Sequence, residues 1–487
     1  TMLTFNAQSL MLTKVVTRSN QSLYAWFDSA YQNPTSIWQI NASACAQKTN
    51  DGHESAALLS AASPCGNRAF AFDETGHTLT LRWIDVRAPG GNVNVTVQGS
   101  VNGSALNMRM NVSLSDGVCV SSFAFPQLHE MHFGSTSDMF VPEFFGHVGE
   151  WNGPWRDDCT AADCPAGVGP TAELRYAPNG NEAAMQFAAV MDGTHGLYFG
   201  IHDPLARMKL FVLQAKRGAR ASMNVVHLPH ETTRHVFDDK TVLEMPFDIV
   251  LRGFSGDESD SLWYDAAQLY RDWALSSASW TQQGTLAERA DIQLQEWLLR
   301  TPLWVEFSFA RWRSQSPQEV LADSTELSQL LGLEFALHYY MWYSQPRDGV
   351  VNEWTPQYAA LNGVRDVVNS LQSKHRVNVV LYTNGRFADM RINWPNISSS
   401  ACHQHNYKPI LEGWEADVPP YALMNPAEPQ WQRILSDAIA GVAHTTDSRG
   451  VYIDQLSSYY PQPCYPLQTN GISGAWAAGT NKLLRAS

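Results

Sequence analysis

The sequence predicts a multidomain chain of the β plus α/β class. It reads as a β-sandwich over residues 1–258, a helical linker over 259–300, and the first half of a TIM-type (β/α) barrel over 301–487. Three observations predict this. Period-2 runs fill the first half, the apolar period becomes helical near residue 260, and short apolar runs then alternate with helical stretches. Alternation places successive side chains on opposite faces of a strand, whereas a 3.6-residue period lays an apolar stripe along a helix. With 487 residues and 44% hydrophobic content, the chain can build more than one large core.

In the first region, strands are expected at Thr78 to Val86, Val93 to Val97, Met108 to Leu114, Met185 to Met191, Gly196 to Ile201, Lys209 to Gln214, Ala221 to Leu228 and Thr241 to Leu251. Gly, Asn, Asp and Pro clusters separate them, the signature of an all-β sandwich. A Trp- and Gly-rich insertion, Phe144 to Gly169, interrupts the series and is read either as a lid or as packing on the sandwich. His195, His202, His227, His230 and His235 share no ligand spacing and are read as ordinary residues.

From residue 260 Leu262, Ala266, Tyr270 and Trp273 fall on one helical stripe, and a second helical segment runs from Leu286 to Leu299. Pro302 to Phe307 has the length of a first barrel strand. Helices around 316–331, 358–374 and 428–443 then precede strands at Leu333 to Trp342, Val377 to Asn384 and Gly450 to Asp454. Such alternation demands a parallel sheet with right-handed crossovers. Four strands are counted where a closed barrel has eight, so continuation beyond Ser487 is expected.

Composition excludes some partners and favours others. The net charge of −14 lacks the clustered Lys and Arg that a nucleic-acid backbone needs. No apolar run reaches the ~18 residues of a membrane span. Aromatic residues make up 11%, with 17 Trp. Their flat apolar faces suit the C–H face of a sugar ring, so a glycan or polysaccharide partner is expected.

Seven cysteines show no Cys-x-x-Cys pair, and neither a metal nor a cofactor is expected. Asp157 and Asp158 are read as a solvated turn rather than a calcium site. Disulfide candidates are Cys45 with Cys65, Cys159 with Cys164, and Cys402 with Cys464, leaving Cys119 as a buried thiol. Asn-x-Ser/Thr sequons at Asn20, Asn41, Asn94, Asn102, Asn111 and Asn396 point, with the cysteines, to a secreted or cell-surface glycoprotein.

Chemistry gathers at the expected strand ends, where (β/α) barrels keep it. Asp454 ends the strand Gly450 to Asp454, as a site carboxylate or as a cap of the following turn. Trp304, Tyr340 and Trp342 are read as sugar platforms; His338, Asn384 and Gln455 as hydroxyl-binding groups; and Tyr382 as a further substrate contact. Glu306 is read as a paired core residue or an acid, with Glu353 and Asp389 as loop carboxylates near the site.

The run His338-Tyr339-Tyr340-Met341-Trp342, then Trp354-Thr355-Pro356-Gln357-Tyr358, Tyr382-Thr383-Asn384-Gly385, Trp431, and Gly450-Val451-Tyr452-Ile453-Asp454-Gln455 with Cys464, resembles the DUF6259 group of glycoside-hydrolase-like proteins. More remotely, the layout is similar to endo-α-N-acetylgalactosaminidases and other retaining α-glycosidases. The resemblance covers residue 260 to the end. It implies a galactose-mutarotase-like β-supersandwich before the barrel, Asp454 at the nucleophile position, and an acid on a later strand. Two readings follow: a secreted glycoside hydrolase, or a non-catalytic glycoprotein binding neighbouring chains in an extracellular assembly.

Overall fold

The computed structural model describes residues 2–6, 8–16, 18–19, 22–23, 26–27, 36–45, 57–132, 138–142, 147–150, 171–176, 183–192, 195–216, 220–228, 233–237, 240–256, 262–285, 288–289, 296–307, 316–343, 360–390, 394–403, 408–412, 421–456, 464, 479–480 and 483. The chain divides into two compact units, residues 1–282 and 283–487. Together they make a multidomain β plus α/β protein.

The first unit is a sandwich of two antiparallel sheets. The larger runs in the order His147–Glu150, Asp138–Val141, Phe187–Asp192, His195–His202, Asp248–Ser255, Ala105–Leu114, Gly91–Asn102, Thr78–Ala88 and Asn67–Asp73. The smaller runs Thr171–Tyr176, Lys209–Lys216, Arg220–His227, Val118–His132, Gln39–Ala44 and Ala57–Ser60. Alternation decides the interior: Leu81, Trp83, Val95, Val97, Met110 and Val112 face Ile40, Phe123, Phe211 and Val225 in one core. Trp38 and Trp83 meet edge to face at 5.5 Å inside it.

Two expectations change here. The run Thr241 to Leu251 is two strands, Lys240–Glu244 and Asp248–Ser255, separated at Met245-Pro246-Phe247, where Pro246 has no N–H for a ladder. Cys45 pairs with Cys119, not Cys65, which is a free thiol. The reason is register: Ser43 lies opposite Cys119 across the strand pair, bringing Cys45 within reach, with a Cα–Cα distance of 5.0 Å. Cys402 and Cys464 are joined. Cys159, Cys164, Trp151, Trp155, Asp157, Asp158, His230 and Asn20 lie outside the described residues.

Of the other sequons, Asn102 is exposed beside a hairpin turn and Asn396 is exposed in the short helix Trp394–Ile397. Asn41, Asn94 and Asn111 are half-buried on strands, and Asn94 accepts a hydrogen bond from the Asp85 backbone N–H at 2.7 Å. The helix Leu262–Ser277, expected as a linker, packs on the sandwich through Leu262 and Ala266 against Phe187, Tyr198 and Val250. Among the described residues, no helix is long and apolar enough to cross a membrane.

The second unit is built on four parallel strands in sequential order: β1 (Trp304–Phe307), β2 (Phe335–Tyr339), β3 (Val377–Asn384) and β4 (Gly450–Asp454). Helices α1 (Pro317–Leu331), α2 (Val364–Lys374) and α3 (Pro429–Thr446) lie in the crossovers. A capping box starts α1: the Ser316 hydroxyl accepts from the Glu319 N–H, and the Glu319 carboxylate accepts from the Ser316 N–H at 2.7 Å. Gly332 ends it with φ +65°, a left-handed conformation suited to glycine. Helix α2 begins at Val364, later than the sequence predicts, after Gly363. Val320, Val364, Val368, Leu371 and Val442 from the helices pack with Leu337, Val379 and Leu381 from the strands. Of the second segment predicted as a helix, residues 288–289 are not helical and Glu296–Arg300 is, with the rest outside the described residues.

Candidate active site

Alternation along the parallel strands sends Val305, Leu337, Val379 and Val451 to the helical side. It sends Glu306 on β1, His338 on β2, Tyr382 on β3, and Tyr452 and Asp454 on β4 to the other. This second face curves. His338 pairs in register with Val380, which pairs with Gly450, yet the His338 ring lies 4.2 Å from the ring of Tyr452. In a flat sheet, strands two places apart stand roughly 9 to 10 Å from each other. The contact therefore bridges over β3, with a two-residue advance along β4.

Asp454 sits at the mouth of this cup. The Tyr382 hydroxyl donates to its Oδ2 at 3.0 Å, and the Tyr452 hydroxyl and the Gln455 backbone N–H also bond the carboxylate. Burial pushes the Asp454 carboxyl up while these three donors pull it down, and the net direction is upward. Burial, and then the charge of Asp454, push Glu306 up. Burial lowers His338 to about 4, so its imidazole is neutral near pH 7. Its Nδ1 stands 3.7 Å from Glu306 Oε2. Tyr452 is 41% exposed; burial first, then the charges of Asp454 and Glu306, raise its phenol.

Backbone geometry also concentrates here. Gln455 and Met341, the residues just past Asp454 and Tyr340, have φ of 59° and 39°. Left-handed backbone at non-glycine residues costs of order 1 kcal/mol and collects at functional sites. Gly385 donates its N–H to the Asp454 carbonyl at 2.9 Å. A Cβ there would come within 2.6 Å of Ile453 Cγ2, so glycine permits the approach of β3 to β4.

The expected site residues divide into groups. His338, Tyr340, Tyr382 and Asp454 come together, with Tyr340 packed edge to face on Tyr382 at 4.4 Å. Trp342 does not serve as a platform: it is 2% exposed, and its Nε1 donates to the Tyr382 carbonyl at 2.8 Å. Trp304 lies at the N-terminal end of β1, in register with Ala336 and 6.2 Å from Trp297, away from the mouth. Asn384 is 1% exposed and its amide is already engaged. Its Oδ1 accepts from the Arg386 and Phe387 N–H groups, and its Nδ2 donates to Gln455 Oε1 at 3.2 Å and more weakly to the Tyr382 hydroxyl. Asn384 and Gln455 thus brace the mouth from within. Asp389 is buried in a small separate sheet, and Glu353 lies outside the described residues.

Tyr452 escaped the sequence reading as a site residue, although its i, i+2 relation to Asp454 places both on one face. Among the described residues, no group of three or more His, Cys, Asp or Glu is arranged to hold a metal. What the cup offers is an oriented carboxylate, a second carboxyl coupled to it, a neutral imidazole and three phenols.

Comparison with known proteins agrees with this architecture. A Monosiga brevicollis protein named "Putative glycoside hydrolase 22789" is 28% identical over 358 residues, 66% of this chain and 29% of that protein. A Bacteroides thetaiotaomicron protein named "Putative glycoside hydrolase" is 23% identical over 277 residues, 55% of this chain and 37% of that protein. The chain thus spans well under half the length of either relative. The alpha-N-acetylgalactosaminidase NagBb from Bifidobacterium bifidum, in its GalNAc complex, has a TM-score of 0.67 over 99% of this chain and 73% of that one, at 11% identity. That likeness is one of fold. Residues 243–483 match the model of the domain of unknown function DUF6259.

Proposed function

We propose that the protein is an extracellular glycoside hydrolase acting on a glycan or polysaccharide by a retaining mechanism, with Asp454 as nucleophile. One observation carries the reading: Asp454 ends a parallel strand at the mouth of a polar, aromatic cup, held by the hydroxyls of Tyr382 and Tyr452 and sharing the face with Glu306. Those phenols orient the carboxylate and support its charged form. In the reaction, an Asp454 oxygen bonds to the anomeric carbon as the glycosidic C–O bond breaks, and the leaving oxygen takes a proton from an acid. Water then cleaves the glycosyl-enzyme bond, releasing the sugar and restoring the carboxylate.

The four-stranded sheet is read as the first half of a barrel, and the acid is placed on a later strand, as the family resemblance implies. The disulfides Cys45–Cys119 and Cys402–Cys464 and the exposed Asn102 and Asn396 support the extracellular location. The test is Asp454→Asn in the intact protein, assayed on a panel of aryl α- and β-glycosides. Loss of at least about a thousandfold in kcat with unchanged thermal unfolding is expected, because the swap keeps the volume and removes the nucleophile. Turnover within twofold of wild type removes Asp454 from the mechanism. Glycan binding without any wild-type turnover favours the non-catalytic reading.

A further inference from the structure

Hydrogen-bonding capacity on the cup is used unevenly. Asn384 spends its amide on Arg386, Phe387, Gln455 and Tyr382, Trp342 spends its indole N–H on Tyr382, and Asp454 receives three donors. Two groups break the pattern. Glu306 has no hydrogen-bond partner among the described residues, and its side chain is 34% exposed. His338 is nearly enclosed, its Nε2 has no partner among the described residues, and its Nδ1 faces Glu306 across 3.7 Å, wider than a hydrogen bond. Glu306 Oε2 and His338 Nδ1 therefore face each other across a gap too wide for a direct hydrogen bond, with the Glu306 side chain partly open to solvent.

We propose, resting on the glycosidase reading above, that Glu306 and His338 form a hydroxyl-reading pair in the wall of the cup that selects an uncharged sugar. The neutral imidazole carries its proton on Nδ1, because that nitrogen alone faces an acceptor. A hydroxyl oxygen placed about 2.8 Å from each group spans a 3.7 Å gap, accepting from Nδ1–H and donating to the Glu306 carboxylate. A sugar hydroxyl does both at once. A carboxylate or sulfate has no proton to give and meets the negative charge of Glu306 and Asp454 together. The exposed Tyr452 ring beside His338 supplies an apolar face for the same ring.

A site built to bond a hydroxyl discriminates strongly, since its own polar groups are stranded when the partner is wrong. The test uses the intact Asp454→Asn protein, so that binding is measured without turnover. It is titrated calorimetrically with galactose, N-acetylgalactosamine, glucose, galacturonate and glucuronate. At least one neutral sugar is expected to bind, with the uronates at least tenfold weaker. Adding Glu306→Gln should weaken the neutral sugar at least tenfold and narrow its margin over the uronates, while His338→Gln weakens it without that narrowing. Failure of every neutral sugar to bind, equal binding of uronates, or neutral-sugar affinity unchanged by Glu306→Gln overturns the pair. Hydrolysis separates the two ideas: turnover lost with Asp454→Asn but binding indifferent to Glu306 leaves the nucleophile standing and this proposal fallen. The opposite result sinks the nucleophile and keeps the pair.

Discussion

Asp454 is held by two phenols, and only one of them is deeply enclosed: Tyr382 is 3% exposed whereas Tyr452 is 41% exposed. The Tyr382 hydrogen bond stabilises the charged carboxylate against the burial that raises it. Removing it with Tyr382→Phe therefore moves the Asp454 titration upward. If Asp454 is the nucleophile proposed above, it acts ionised, so the acid limb of the kcat/KM profile should shift to higher pH, with activity recovering on the alkaline side. An acid limb that stays put would show that Tyr382 does not tune the carboxylate. Asp454 itself was legible as a carboxylate closing an apolar run. Trp342 and Asn384 were not, because a strand end in the sequence does not reveal which of its polar groups are already spent on backbone carbonyls and N–H groups. Tyr452 was legible in principle from its two-residue spacing to Asp454.

Among the elements, β3 and β4 were legible to the residue, since both are short apolar runs bounded by turn formers. The helix expected around 316–331 is α1, and the structure shows its start set by a capping box of Ser316 and Glu319 with Pro317 following. Ser316→Ala should cost about 1 kcal/mol of stability, read as a lower urea midpoint at unchanged slope. No change would show that Pro317 and the packing of Val320 set that helix start without the cap. The cysteine pairing was not legible, because it depends on the register that puts Ser43 opposite Cys119. The bond closes a sequence separation of 74 residues. In the chain-entropy model, removing it with Cys119→Ser costs about 4 kcal/mol. A loss under about 1 kcal/mol would mean that the strand pairing alone keeps the reduced chain ordered.

For the molecule as a whole, buried histidines make stability depend on pH, and two of them lie in the sandwich, apart from His338 of the second unit. His227 is fully enclosed, donates from Nε2 to the Phe125 carbonyl at 2.8 Å and stacks on Phe123. His202 bonds the Tyr198 hydroxyl and stacks on Trp273 at 4.6 Å. Burial lowers both to about 4 from an ordinary 6.5. The folded sandwich therefore keeps them neutral, while the unfolded chain takes up protons once the pH falls below 6.5. More protons bind to the unfolded state across that window, so stability rises with pH between about 4 and 6.5 and is lost on acidification. Each shift is worth at most about 3 kcal/mol. Asp203, held below its usual value by Lys209 and Arg207 despite burial, adds a further loss only at still lower pH. Urea unfolding of the wild type followed from pH 7 to pH 4 should show this decline, and His227→Gln should flatten it while lowering stability at pH 7 through the lost stacking. A slope the substitution leaves untouched would remove His227 from the linkage, and stability constant across the window would remove both histidines.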